Sequence, residues 1–131
     1  MKMILTFVIM MFSATLTAPP NYSVVVFEAE GINYYEPLIK AIVDYESKGD
    51  IFAFNFLEQA CGPMQIRPIR IDHYNRMTGS SYTTEDCFNM EVSREVFLYF
   101  ARGKSYEKAA KSWNGSGLMT INYWKQIQKR L

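Results

Sequence analysis

Leu38, Ile39, Ile42 and Val43 recur at helical spacing, with Glu36, Lys40 and Asp44 on the opposite side. Gly49 ends this stretch. The same grammar repeats downstream. Pro68 opens a second helix that runs towards Met77 and stops at Thr78-Gly79. Thr83, with Asp86 three residues on, caps a third helix that reaches about Arg102 and buries Phe88, Val92, Val96, Tyr99 and Phe100. Gly103 closes it. Ser105 caps a short helix holding Ala109, Ala110 and Trp113, and Asn114-Gly115-Ser116-Gly117 breaks the chain. A last helix from about Thr120 sets Trp124, Ile127 and Leu131 on one face. Between the first two helices, Ile51 to Ala60 is apolar but irregular, and Gly62-Pro63 marks a turn or a close backbone approach. This punctuation predicts a mainly α, compact single domain with short loops.

The N-terminus reads differently. Met1 to Ala18 has one early Lys, an apolar run from Met3 to Phe12, then small and hydroxylated residues. That is the layout of a secretory signal peptide. A run of about ten residues is too short to cross about 30 Å of hydrocarbon. Cleavage is expected after Ala18, with Ala14 and Thr17 as alternatives, and no Cys stands nearby to carry a lipid. Residues 19–33 read as an exposed leader with a strand-like run, Ser23 to Phe27. The folded domain then covers residues 34–131. Export to the periplasm or the extracellular space is expected, as a monomer with no stable membrane insertion after signal removal.

Charge and cysteine content narrow the function. Fourteen Lys and Arg nearly cancel thirteen Asp and Glu, which argues against a protein that coats nucleic acid. The balance is uneven. Residues 21–60 hold two Lys against seven acids, and residues 103–131 hold six Lys and Arg against Glu107. The basic tail is either a solvated helix face or a surface for anionic polymer. Cys61 and Cys87 allow a disulfide closing a 27-residue loop, worth roughly 3–4 kcal/mol in the loop-entropy model, or two buried thiols. Two Cys and the lone His73, without CxxC or HxxxH spacing, make no zinc site, and no metal or cofactor is expected.

One acid stands out. Glu46 lies four residues after Ile42 and three after Val43, so it continues the apolar stripe of its helix. A carboxyl there is partly desolvated, which raises its pKa and suits a general acid. The acidic surroundings favour its protonated form further. The alternative is a helix-end Glu that turns to solvent.

Glu46-Ser47 is followed by Gly62-Pro63-Met64-Gln65-Ile66 and then by Ala110-Lys111-Ser112-Trp113-Asn114-Gly115-Ser116-Gly117. In this order the three segments resemble the lysozyme-like lytic transglycosylases that cut bacterial peptidoglycan, over about Tyr35 to Leu131. The resemblance implies a lysozyme-like fold with a substrate cleft and makes Glu46 the catalytic acid. It implies that Ser47 orients that carboxylate or its sugar, and that Met64, Gln65, Trp113 and Asn114 line the substrate site. Pro63 stands where the family has a branched aliphatic residue, Trp113 where it has Tyr, and Lys48-Gly49-Asp50 where it often has Asn-Pro. Planar amides and flat aromatic faces suit sugar binding on chemical grounds as well.

Glycoside hydrolysis ordinarily uses two carboxylates. Asp44, Asp50, Glu58 and Asp72 are candidates for a second, none of them in a family motif. The transglycosylase route implied by the resemblance needs one carboxyl, which acts first as acid and then as base. The partner is then the glycan strand of peptidoglycan, with no nucleic acid involved. The rival readings are a lysozyme-type hydrolase acting on the same bond and a non-catalytic glycan-binding module of an envelope or phage assembly.

Overall fold

The computed structural model describes the backbone of residues 22–131 and the side chains of residues 34–131. The signal-peptide reading of residues 1–18 lies outside the described residues. The chain divides into two compact units, residues 1–30 and 31–131, and every contact below lies within the second.

The fold is mainly helical. Helix α1 covers Tyr22–Ser47, α2 Pro68–Thr78, α3 Met90–Ala101, α4 Tyr106–Asn114 and α5 Met119–Gln128. Two short strands, β1 (Phe54–Asn55) and β2 (Ala60–Cys61), pair antiparallel between α1 and α2. Among the described residues no helix is long and apolar enough to cross a membrane.

Each helix contributes its apolar stripe to one core. Leu38, Ile39 and Ile42 come from α1, Ile71 and Tyr74 from α2, and Val96 and Phe97 from α3. Ala109, Ala110 and Trp113 come from α4, and Tyr123 and Ile127 from α5. Burying a Leu or Ile side chain contributes about 1.5–3 kcal/mol, so these stripes fix how the helices pack. Polar contacts pin the edges. The Tyr35 hydroxyl donates to Ala101 O at 2.5 Å, and Arg94 on α3 pairs with Glu36 on α1.

Several expectations are corrected. Residues 23–27 are helical rather than strand-like, because α1 begins at Tyr22 rather than at Tyr35. The β-branched run there is a weak preference, and extending an existing helix adds one hydrogen bond per residue. The helix expected from Thr83 is split into a 3₁₀ turn over Glu85–Phe88 and α3, for which Asn89 is the N-cap. Thr83 and Asp86 do engage as a capping pair, since Thr83 N donates to Asp86 Oδ2 at 2.7 Å, but they close the 3₁₀ turn. The fully buried stripe of α3 is therefore Ser93, Val96, Phe97 and Ala101, with Val92, Tyr99 and Phe100 flanking it. On α5 the buried face is Thr120, Tyr123 and Ile127, whereas Leu131 is exposed.

Candidate active site around Glu46

Glu46 sits one residue before the end of α1, on the side that faces α5. It is half-buried, and Tyr123 of α5 donates a hydrogen bond to its Oε1 at 2.8 Å. Burial pushes the Glu46 carboxyl above the ordinary carboxylate range. The Tyr123 hydroxyl opposes that shift, the negative charge of Glu58 adds to it, and the positive charge of Arg67 opposes it. Tyr123 is itself buried, and its pKa is raised by burial and by the Glu46 charge, so it remains a proton donor to the carboxyl. The arrangement is a partly desolvated acid held in one orientation.

The segment from residue 50 to residue 67 joins α1 to α2 and is tied to the end of α1 beside this acid by Ser47. Asn55 Oδ1 accepts from Leu57 N at 3.1 Å and Glu58 N at 3.3 Å, which turns β1 back into β2. The hairpin tip exposes Phe54, Phe56 and Leu57. A bridge between Cys61 and Ile66 then folds the Gly62-Pro63-Met64-Gln65 loop tightly. Gly62 has φ +79°, and a Cβ there would lie 1.8 Å from the carbonyl oxygen of Cys87. Only glycine fits both demands.

The resemblance assigned substrate contacts to several residues that the fold uses for construction. Ser47 Oγ donates to Pro63 O at 2.8 Å and so ties the end of α1 to the loop. Gln65 Nε2 donates to Ala53 O at 3.1 Å and Gly62 O at 3.0 Å, which ties the loop to the hairpin. Met64 is completely buried and belongs to the core rather than to an accessible wall. Trp113 is only 6% exposed, and its Nε1 donates to Met64 O at 3.3 Å. Its ring is covered by the Arg70 guanidinium at 4.4 Å and packs edge-on against Phe97, so it presents no open face to a sugar. Asn114 is half-buried, and its backbone carbonyl accepts from Arg67 at 3.3 Å. Cys61 and Cys87 are buried free thiols, not a disulfide. Burial pushes the Cys87 thiol up to about 12, so it packs as an apolar side chain.

Three side chains at the site were not singled out from the sequence. Tyr123 is four residues before Ile127 on the buried stripe, and a Tyr in such a stripe needs a polar partner. Arg67 and Arg70 are three apart at the start of α2 and reach the C-terminal end of α4 together. A Pro68 helix start with Arg67 before it and Arg70 two residues after it was visible, but its destination was not. Among the described residues no cluster of His, Cys, Asp and Glu could hold a metal ion. A separate depression of about 230 Å³ is lined by Glu36, Ile39, Lys40, Val43, Asp44, Lys48, Gly49 and Met90, and Glu46 is not part of it.

Comparison of the chain with protein-family models, with curated proteins and with solved structures yields no match. What the site does is therefore argued from its own chemistry.

Proposed function

We propose that this chain is a peptidoglycan lytic transglycosylase of lysozyme-like fold, exported to the cell envelope and acting as a monomer on glycan strands. The observation that carries this reading is the half-buried Glu46 carboxyl, raised in pKa by burial and oriented by Tyr123. An acid of this kind keeps its proton closer to neutral pH and can deliver it to a leaving group. The order of Glu46-Ser47, the Met64-Gln65 loop and the Trp113-Asn114 segment supports the same family.

In this mechanism Glu46 gives its proton to the glycosidic oxygen between N-acetylmuramic acid and N-acetylglucosamine. The bond to the muramyl C1 breaks, and the 2-acetamido group of the same sugar stabilises the cationic carbon. Glu46, now a carboxylate, takes the proton of the muramyl O6 hydroxyl, which closes on C1 as a 1,6-anhydro ring. No water is consumed. Tyr123 holds the carboxyl through both steps, and the exposed Phe54 and Phe56 offer apolar faces for sugar rings.

A second reading, a lysozyme-type hydrolase, is favoured by one observation. The negative charge of Glu58, exposed on the hairpin, acts on Glu46, and in this reading Glu58 is the second carboxylate that activates water. Mass spectrometry of fragments released from purified sacculi separates the readings. Anhydro-muropeptides, still formed by Glu58→Gln, support the transglycosylase. Reducing-end products, one water heavier and lost in Glu58→Gln, support the hydrolase. No release by the wild-type protein refutes both and leaves a binding module.

A further inference from the structure

Arg67 and Arg70 place two guanidinium groups at the C-terminal end of α4. Arg70 is committed to the end of α4 and to two aromatic rings. Its Nη2 donates to Trp113 O at 2.8 Å and Ser112 O at 3.3 Å, and the group stacks over Trp113 and Phe100. Arg67 is half-buried and donates to Asn114 O at 3.3 Å. A guanidinium has five N–H donors, and among the described residues the others meet no protein acceptor. Among those residues, too, no carboxylate forms an ion pair with either arginine.

Burial lowers the pKa of Arg70 to about 10, and the like charge of Arg67, with no carboxylate paired to either group, adds to that shift. Arg67 directly follows the loop that Ser47 ties to the end of α1 through Pro63 O, one residue from Glu46, and its charge acts on that carboxyl. Gly115, next to the carbonyl that Arg67 binds, borders the guanidinium, and a Cβ there would lie in van der Waals contact with Arg67 Nη2 at 3.9 Å. We propose that Arg67, backed by Arg70, binds a carboxylate carried by the glycan whose bond lies at Glu46. This rests on the glycan-cleaving reading and adds a substrate feature that the enzyme reads. Arg–carboxylate pairs are bidentate and directional, so the contact also sets the register of the strand.

The contact would act on the acid too. Three groups bear on Glu46: Tyr123 from α5, Glu58 from the hairpin, and Arg67 from the start of α2. Arg67 favours the ionised carboxylate. A bound anion cancels that charge, so Glu46 keeps its proton to higher pH when an anionic substrate is in place.

The carboxylate has two sources in cell wall: the lactyl group of a muramyl residue stripped of its peptide, and the free carboxyls of the stem peptides. The test uses the full chain and measures KM and kcat on four substrates. These are amidase-stripped strands, intact sacculi, and each of the two after conversion of its carboxyls to neutral amides with carbodiimide and ethanolamine. Wild type should show a KM about 10–100-fold lower on at least one native substrate than on its blocked form. Preference for stripped strands assigns the lactyl group, and preference confined to intact sacculi assigns the stem peptide. Arg67→Gln should abolish the difference, Arg67→Lys should retain part of it, and added salt should weaken it. Equal KM on native and blocked substrates overturns the proposal while leaving the cleavage reading intact. Inactivity of wild type on all four overturns both.

Discussion

Gly62→Ala tests the geometry of the site loop. At φ +79° an alanine bears left-handed strain of about 1–2 kcal/mol. The added Cβ would also lie 1.8 Å from Cys87 O, whereas ordinary contact begins at 3.4 Å, so the two backbones must separate by about 1.6 Å. That displacement threatens three hydrogen bonds: Gly62 N to Ala53 O at 2.8 Å, Gln65 N to Gly62 O at 3.1 Å, and Ser93 Oγ to Cys87 O at 2.7 Å. At about 1 kcal/mol each, the expected loss is about 4–5 kcal/mol in all. Gly49 provides the control. It has φ +83° and nothing within 4 Å of an added Cβ, so Gly49→Ala bears the strain alone, about 1–2 kcal/mol. The gain from a stiffer unfolded chain is common to both variants and cancels. The difference, about 3 kcal/mol, corresponds to a Tm roughly 12–24 °C lower for Gly62→Ala than for Gly49→Ala. Thermal unfolding followed by circular dichroism measures it. Equal Tm values for the two variants would refute the packing of Gly62 against Cys87.

Three other outcomes follow from the same contacts. Tyr123→Phe removes a hydrogen bond that favours the Glu46 carboxylate, so the alkaline limb of the pH–activity profile should move up while kcat falls; an unmoved limb contradicts the contact. Glu46 binds its proton more tightly in the folded state, so that domain stability falls as pH rises from the unfolded value near ~4.3 through the raised folded one. Glu46→Gln should therefore raise Tm at pH 8 and have little effect at pH 4, and a Tm gain of the same size at both pH values speaks against the burial. Arg70→Met should lower stability by about 1–3 kcal/mol in urea unfolding, through loss of the stacking on Trp113 and of the bonds to the end of α4, and an unchanged midpoint contradicts that role.

The helices were legible because their signals are local. Apolar spacing marks α1 over Leu38–Val43, Ser105 caps α4 as expected, and Gly79 closes α2 in the left-handed conformation. Glu46 was legible for the same reason, since its place on the stripe follows from counting along one helix. The rest of the site depends on contacts between distant segments. Tyr123 reaches Glu46 across 77 positions, and Arg67 reaches Asn114 across 47. Periodicity within one element cannot show either. The hairpin was missed because two-residue strands are too short to show alternation, and it is held by Asn55 turn bonds and the Gln65 amide instead. Trp113 and Met64 were expected at the substrate because a motif names residue types and not the direction in which they point. Here Arg70 lies over the indole and the loop buries the thioether.

The central claim is that Glu46 transfers the proton. The direct measurement is release of soluble fragments from purified sacculi by wild type and by Glu46→Gln, with circular dichroism to establish that both are folded. General acid–base action is worth at least roughly 10²–10⁴ in rate, so the folded variant should release fragments at least a hundredfold more slowly. A folded Glu46→Gln that releases fragments at the wild-type rate would contradict the account.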